Sequence, residues 1–238
     1  AKAMTLQTVR QLRIVIGTGG YIRTSQIYAL NSGTAWNRLL VNAGATLEIT
    51  GTPTSWPAYG TTNNQYLFDA ASLTIYSGPG NQDIRNVTGG YGHLRVTGTG
   101  VKAIAGTLLV KGNLDILNVA GTPELDVTVS NFQLTVNGNW TNYGTLGFNE
   151  RTGLVQFSGT TSAQNLTSPG GEDFFSWRIA KAAAQPMVVL NSDVRVVNTL
   201  NLNTTSAILD LNGNLLWIQN PSAAAIASNS PLGTPRHI

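Results

Sequence analysis

The side chains whose type and spacing suit chemistry are few, and the acids come first. Glu172-Asp173 follows Gly170-Gly171, where adjacent carboxylates in a glycine turn would suit calcium. No further Asp or Asn stands in the proper register, and the Gly-Gly-x-Gly-x-Asp calcium repeat is absent, so the pair reads as a solvated loop. The densest acidic set is Asp115, Glu124 and Asp126. Glycoside hydrolysis needs two carboxyl groups about 5 to 9.5 Å apart across one bond. Alternation with Leu114-Ile116 and Leu125-Val127 instead turns Asp115 and Asp126 outward, as solvated strand positions. His93, in GGYGHLRV, has no serine or carboxylate identifiable as a partner and reads as a surface histidine after a glycine-rich turn. Gly17-Thr18-Gly19-Gly20 imitates a phosphate loop, but neither Gly-Lys-Ser/Thr nor a helix follows. The expectation is no catalytic residue, no metal and no cofactor.

The aromatic residues carry the other candidate chemistry. Trp36, Trp56, Tyr59 and Tyr66 lie in a stretch that breaks the strand rhythm, with two prolines in TGTPTSWPAYGTTNNQYLF. Flat rings beside Asn and Thr are what a sugar platform uses, the ring against the sugar face and amides for its hydroxyls. These four are the candidate carbohydrate contacts, on an inserted loop over about 51–68; the competing reading is a loop that packs on the core. Trp140 and Trp177 keep strand register and read as core or corner fillers.

Composition excludes several classes. The 238-residue chain has no cysteine and two histidines, which removes disulfides and thiolate sites and disfavours a histidine-built metal site. Charged residues make up 11% and the net charge is +3, with Lys and Arg scattered, so nucleic acid is not an expected partner. No apolar run approaches the ~20 residues that span a bilayer. Polarity comes from Asn, Thr, Ser and Gly, which points to an extracellular surface. The Asn-x-Thr triplets at Asn86, Asn139, Asn165 and Asn203 would matter only in a eukaryotic secretory pathway.

The elements that must position these residues are short strands. Apolar residues alternate with polar ones in bursts such as Leu73-Ile75, Leu94-Val96, Leu108-Val110, Leu134-Val136 and Val155-Phe157, separated by Gly, Asn and Ser-Gly. Ala180 to Ala184 and Ser222 to Ala227 have room for a turn or two of helix. The segments 73–152 and 153–220 read as an internal repeat, LTIYSGPGNQDIRN paralleling VQFSGTTSAQNLTS. The phrase apolar-x-Gly-Asn-apolar recurs at Gly112-Asn113, Gly138-Asn139 and Gly213-Asn214, and the three are expected to be equivalent corners with a tolerated backbone bend.

The expected fold is all-β, a right-handed parallel β-helix with coils of roughly 20 to 25 residues, about ten of them, forming a rod near 50 Å. A duplicated β-sandwich is the runner-up and would place hairpins at the Gly-Asn sites. The chain is expected to be one solenoid segment of a longer protein.

The run LTVNGNWTNYGTL, then FNERTGLVQFSGTTSAQNLTS, then FFSWRIAKAAAQPMVVLNSDVRVVNTLNL and LDLNGNLLWI resembles repeat regions of large secreted and cell-surface proteins of Bacteroidetes bacteria, over about 100–225. The resemblance implies an adhesin-like surface protein exported by the type IX pathway. The resulting expectation is a non-enzymatic extracellular spacer or adhesive stalk at the bacterial surface, with surface glycans or like subunits at its coil ends as partners. A carbohydrate-active β-helix enzyme or carbohydrate-binding module is the alternative.

Overall fold

The protein, seen in a computed structural model, is described over residues 12–27, 37–52, 64–87, 89–160, 163–181, 187–203 and 207–228. The bursts form strands because most carry Val, Ile, Leu or an aromatic residue on the inward face of the pleat and a polar residue on the other. Four sheets result. The longest has nine strands: β2 (Tyr21–Thr24), β4 (Thr46–Ile49), β6 (Leu73–Tyr76), β8 (His93–Val96), β11 (Leu114–Ile116), β14 (Trp140–Asn142), β17 (Gln164–Thr167), β19 (Met187–Leu190) and β21 (Ile208–Asp210). A seven-stranded sheet contains β10 (Leu108–Val110), β13 (Leu134–Val136), β16 (Leu154–Phe157), β18 (Glu172–Ile179), β20 (Val194–Leu202), β22 (Leu216–Ile218) and β23 (Ile226–Ser228). The others are three-stranded, β1 (Leu12–Ile16), β3 (Asn37–Val41) and β5 (Asn64–Phe68), and four-stranded, β7 (Gln82–Ile84), β9 (Gly100–Ile104), β12 (Pro123–Asp126) and β15 (Gly147–Asn149).

Every strand pairing among the described residues is parallel. Neighbours in each sheet come from successive passes of the chain, so the fold is a β-solenoid. Hairpins, and with them the sandwich alternative, are ruled out over these residues. Eight steps separate the first and last of the nine strands, fewer than the ten coils expected. At about 4.8 Å per step the stack is roughly 38 Å long. Coil length explains the shortfall: one turn takes 20 residues from Leu73 to His93 but 27 from Thr46 to Leu73.

Inward side chains stack in files, Leu94, Leu114, Trp140 and Leu166 along one sheet and Leu108, Leu134, Val155 and Trp177 along another, all buried. Each such burial contributes about 1.5–3 kcal/mol relative to exposure. Where the coil widens, aromatic rings fill it: Trp140, Phe148, Phe157, Phe174 and Trp177 form a chain of contacts with centroids 5.0–6.3 Å apart. Tyr91 makes an isolated bridge to Val110 and a ring contact with Phe68 at 5.1 Å, linking the three-stranded sheet to the seven-stranded one. Its buried hydroxyl meets that of Tyr76 at 2.9 Å and donates to the Arg85 carbonyl at 2.7 Å, so burial leaves neither of these two phenols unsatisfied.

The Gly-Asn corners divide into two kinds. Gly112-Asn113 and Gly138-Asn139 lie between the seven- and nine-stranded sheets, one directly above the other. Asn113 N–H donates to His93 Nδ1, Asn139 N–H to Asn113 Oδ1, and Asn165 N–H to Asn139 Oδ1, each at 2.9 Å. His93 therefore starts a side-chain ladder running along the corner. Neither glycine nor asparagine here has positive φ. The reason for glycine is space: a Cβ on Gly138 would lie 2.5 Å from Asn113 Oδ1 and from the Gly112 carbonyl carbon. Gly213-Asn214 is not equivalent. It lies at a different corner, between β21 and β22, where Asn212 and Gly213 do have φ of 48° and 80°.

Other expectations need adjustment. The halves 73–152 and 153–220 begin on different faces of the coil: β6 belongs to the nine-stranded sheet and β16 to the seven-stranded one. Their likeness is one of strand and turn order, shifted by a face. The inserted loop stops short of 68, since Asn64–Phe68 is strand β5. Of the two short helical stretches, Ala223–Ala225 forms a single 3-10 turn capped by the Ser222 hydroxyl, and 182–186 lies outside the described residues.

Candidate functional site

Two of the acids expected outward are each held by an arginine from a neighbouring turn. Asp115 points out and meets Arg95 at 3.1 Å, directly across the ladder. Asp126 is buried rather than solvated: Arg151 donates to both its oxygens at 2.6 and 2.7 Å, and Asp126 Oδ1 also accepts the Thr128 N–H at 2.7 Å. The strand ends at Asp126, and the carboxylate leaves the outward phase to cap the turn. The guanidinium of Arg151 holds its carboxyl below the usual range, against the opposing cost of burial. Glu124 accepts from Asn149 Nδ2 at 2.7 Å. Asp115 sits in the nine-stranded sheet and Glu124 and Asp126 in the four-stranded one, so these acids do not flank a common groove.

Among the aromatic candidates, Trp36, Trp56 and Tyr59 lie outside the described residues. Tyr66 is an inward residue of β5 with 5% exposure, so its ring belongs to the core and not to a platform. Trp140 and Trp177 are buried, as their strand register implies.

A cleft of about 510 Å³ opens instead where the four-stranded sheet ends. β15 is its terminal strand, and the next pass, the first residues of β18, pairs with β20 and not with β15. The two passes separate, and the segments 142–148 and 168–173 face each other across the gap. The second wall begins with a tight turn in which Gly171 N–H donates to the Ser168 carbonyl at 2.8 Å and Ser168 Oγ to the Gly171 carbonyl at 2.6 Å. Tyr143 and Leu146, 50% and 57% exposed, stand on the first wall.

Glu172 lines this cleft with only 4% of its surface exposed. It is no loop residue: it opens β18, in phase with inward Phe174. Its Oε2 accepts from Trp140 Nε1 at 2.7 Å and Asn142 Nδ2 at 2.9 Å. Among the described residues both of its hydrogen bonds go to Oε2, and none goes to Oε1. Burial pushes the Glu172 carboxyl up to about 7, aided by the charges of Glu150 and Asp173 and opposed by its two donors. Glu150 is also raised, by burial first and then by Asp173. Asp173 itself is paired with Arg195 across the rung, through Nε at 2.9 Å and through Nη2.

The sequence carried a signal for Glu172 that the reading missed. Glu172-x-Phe174 alternates like any strand, but an irregularity between Phe174 and Ser176 shifts the phase before Trp177 and hides the pattern. Among the described residues no three His, Asp or Glu side chains gather as a metal site. No protein-family model, curated protein or solved structure matches the chain.

Proposed function

We propose that this chain is a non-enzymatic segment of a bacterial surface protein, extracellular, acting as a rigid spacer or adhesive stalk. The observation that carries the reading is the uninterrupted nine-stranded parallel ladder, in which each turn hydrogen-bonds the turns before and after it. Such a stack resists bending because any tilt of one turn must break main-chain bonds or open the close-packed core. Side chains reinforce it along the axis: the His93-Asn113-Asn139-Asn165 corner ladder, and ion pairs from Arg95 to Asp115 and from Arg195 to Asp173 in register across rungs. Exposed pairs of this kind stabilise by about 0–1 kcal/mol each, so their part is alignment more than stability.

The last described rung favours further association. Ile208, Leu215, Trp217 and Ile226 are exposed there, beside strand edges able to accept another coil. Like subunits or further repeats of the same chain are the partners proposed for this edge.

A spacer is defined by length, which gives the test. In the parent protein on the cell surface, the segment is replaced by an unrelated β-solenoid of equal length, or shortened by two whole turns. The equal-length exchange is expected to preserve cell attachment and the shortened chain to weaken it. Loss of attachment in the equal-length exchange would refute the pure spacer and leave the adhesive stalk; attachment unchanged in the shortened chain would refute a role set by length.

A further inference from the structure

We infer that the cleft between 142–148 and 168–173 is a binding site for a neutral saccharide, with the free oxygen of Glu172 as its central hydrogen-bonding group. This goes beyond the spacer reading and does not depend on it. The site is built, not incidental. Trp140 and Asn142 both bind Oε2, which holds the carboxyl of this cleft-lining residue in place and leaves Oε1 for a ligand. Asn142 is itself fixed, its Oδ1 accepting the Gly144 N–H at 3.0 Å. With only 4% of Glu172 exposed, little water reaches the carboxyl, and a ligand hydroxyl at Oε1 takes the place of that water.

The chemistry of the walls selects the ligand class. A hydroxyl both donates and accepts, so it satisfies Glu172 Oε1 whether the carboxyl is ionised or protonated; burial places its titration near 7. An anion would meet the carboxyl groups of Glu172 and Asp173, both of which line the cleft. A metal ion would need more ligands than the described residues gather there. The exposed Tyr143 ring and Leu146 offer an apolar face beside the Glu172 carboxyl, the combination that sugar rings require. The cleft volume, about 510 Å³, falls in the usual range for small-ligand sites.

The test is titration calorimetry with glucose, galactose, mannose and N-acetylglucosamine, each as monomer and as β-linked tetramer, and with calcium chloride as a separate probe. Gly170→Phe fills the mouth from a position where a side chain has ordinary φ and open space, and so leaves the fold intact. Tyr143→Ala removes the exposed ring, and Glu172→Leu removes the central group. The expected result is saturable binding of at least one saccharide, weakened at least tenfold by Gly170→Phe and by Glu172→Leu, with unchanged circular dichroism for Gly170→Phe. Weakening by Tyr143→Ala supports the ring as the platform. Absence of binding across the panel, or binding that survives Gly170→Phe, overturns the proposal. Calcium binding that is lost in Glu172→Gln overturns it in favour of a cation site.

Discussion

Replacing Glu172 with Gln is expected to leave stability unchanged near pH 4 and to raise it by on the order of 3 kcal/mol at pH 8. The unfolded chain releases this proton near the ordinary value of 4.5, whereas burial holds it to about 7 in the folded protein. Between those values the folded state binds more protons, so its stability falls as pH rises. The contribution is fully present below 4.5 and lost above 7, and at about 1.4 kcal/mol per pH unit the difference gives the stated magnitude. Gln keeps an oxygen for Trp140 Nε1 and Asn142 Nδ2 and carries no charge, so it mimics the protonated acid throughout. Urea unfolding of both proteins at half-unit steps from pH 4 to 8 checks it. Parallel curves would mean that Glu172 ionises freely and that the cleft is wetter than its geometry implies. Glu150, also raised by burial, adds a slope of the same sign to both proteins, and its repulsion with Glu172, lost in the variant, is part of the measured difference.

The second large effect is expected at a corner. Gly138→Ala should cost about 1–3 kcal/mol, the usual range for forcing a methyl group into a packed site. The added Cβ would meet backbone of the preceding turn at 2.5 Å, and that backbone cannot retreat, because Gly138 N–H donates to the Gly112 carbonyl at 2.9 Å. Any movement also breaks the Asn139-to-Asn113 bond of the ladder. Gly17→Ala is the control, since a Cβ there meets nothing within 4 Å and φ is ordinary. Equal urea midpoints for the two variants would show that the corner tolerates side chains and that the stack is looser than described.

These two residues also show how far the sequence could be read. Alternation around Leu108, Leu134 and Val155 made the strands legible, and short strand spacing with turns that keep one inward phase made the solenoid legible, because both are local patterns. Which turn stacks on which is not local. Gly112-Asn113 and Gly213-Asn214 read alike, yet one needs room for a neighbouring turn and the other needs positive φ. Asp126 looks outward by alternation and is turned inward by Arg151, 25 residues away. Tyr66 looked like part of a sugar platform because aromatic residues and prolines surround it, but its strand phase buries it. Glu172 failed for the same reason in reverse: its neighbours in sequence are loop-like glycines, whereas its neighbours in space, Trp140 and Asn142, lie 32 and 30 residues earlier.

Rigidity is the core of the spacer account, and stretching single molecules along the solenoid axis measures it most directly. The stack is expected to hold its length until a first rupture, and then to lengthen in discrete steps. Each step should release one turn, between 20 and 27 residues as set by the register of neighbouring strands. Smooth lengthening from the lowest forces, before any rupture, would contradict a rigid spacer.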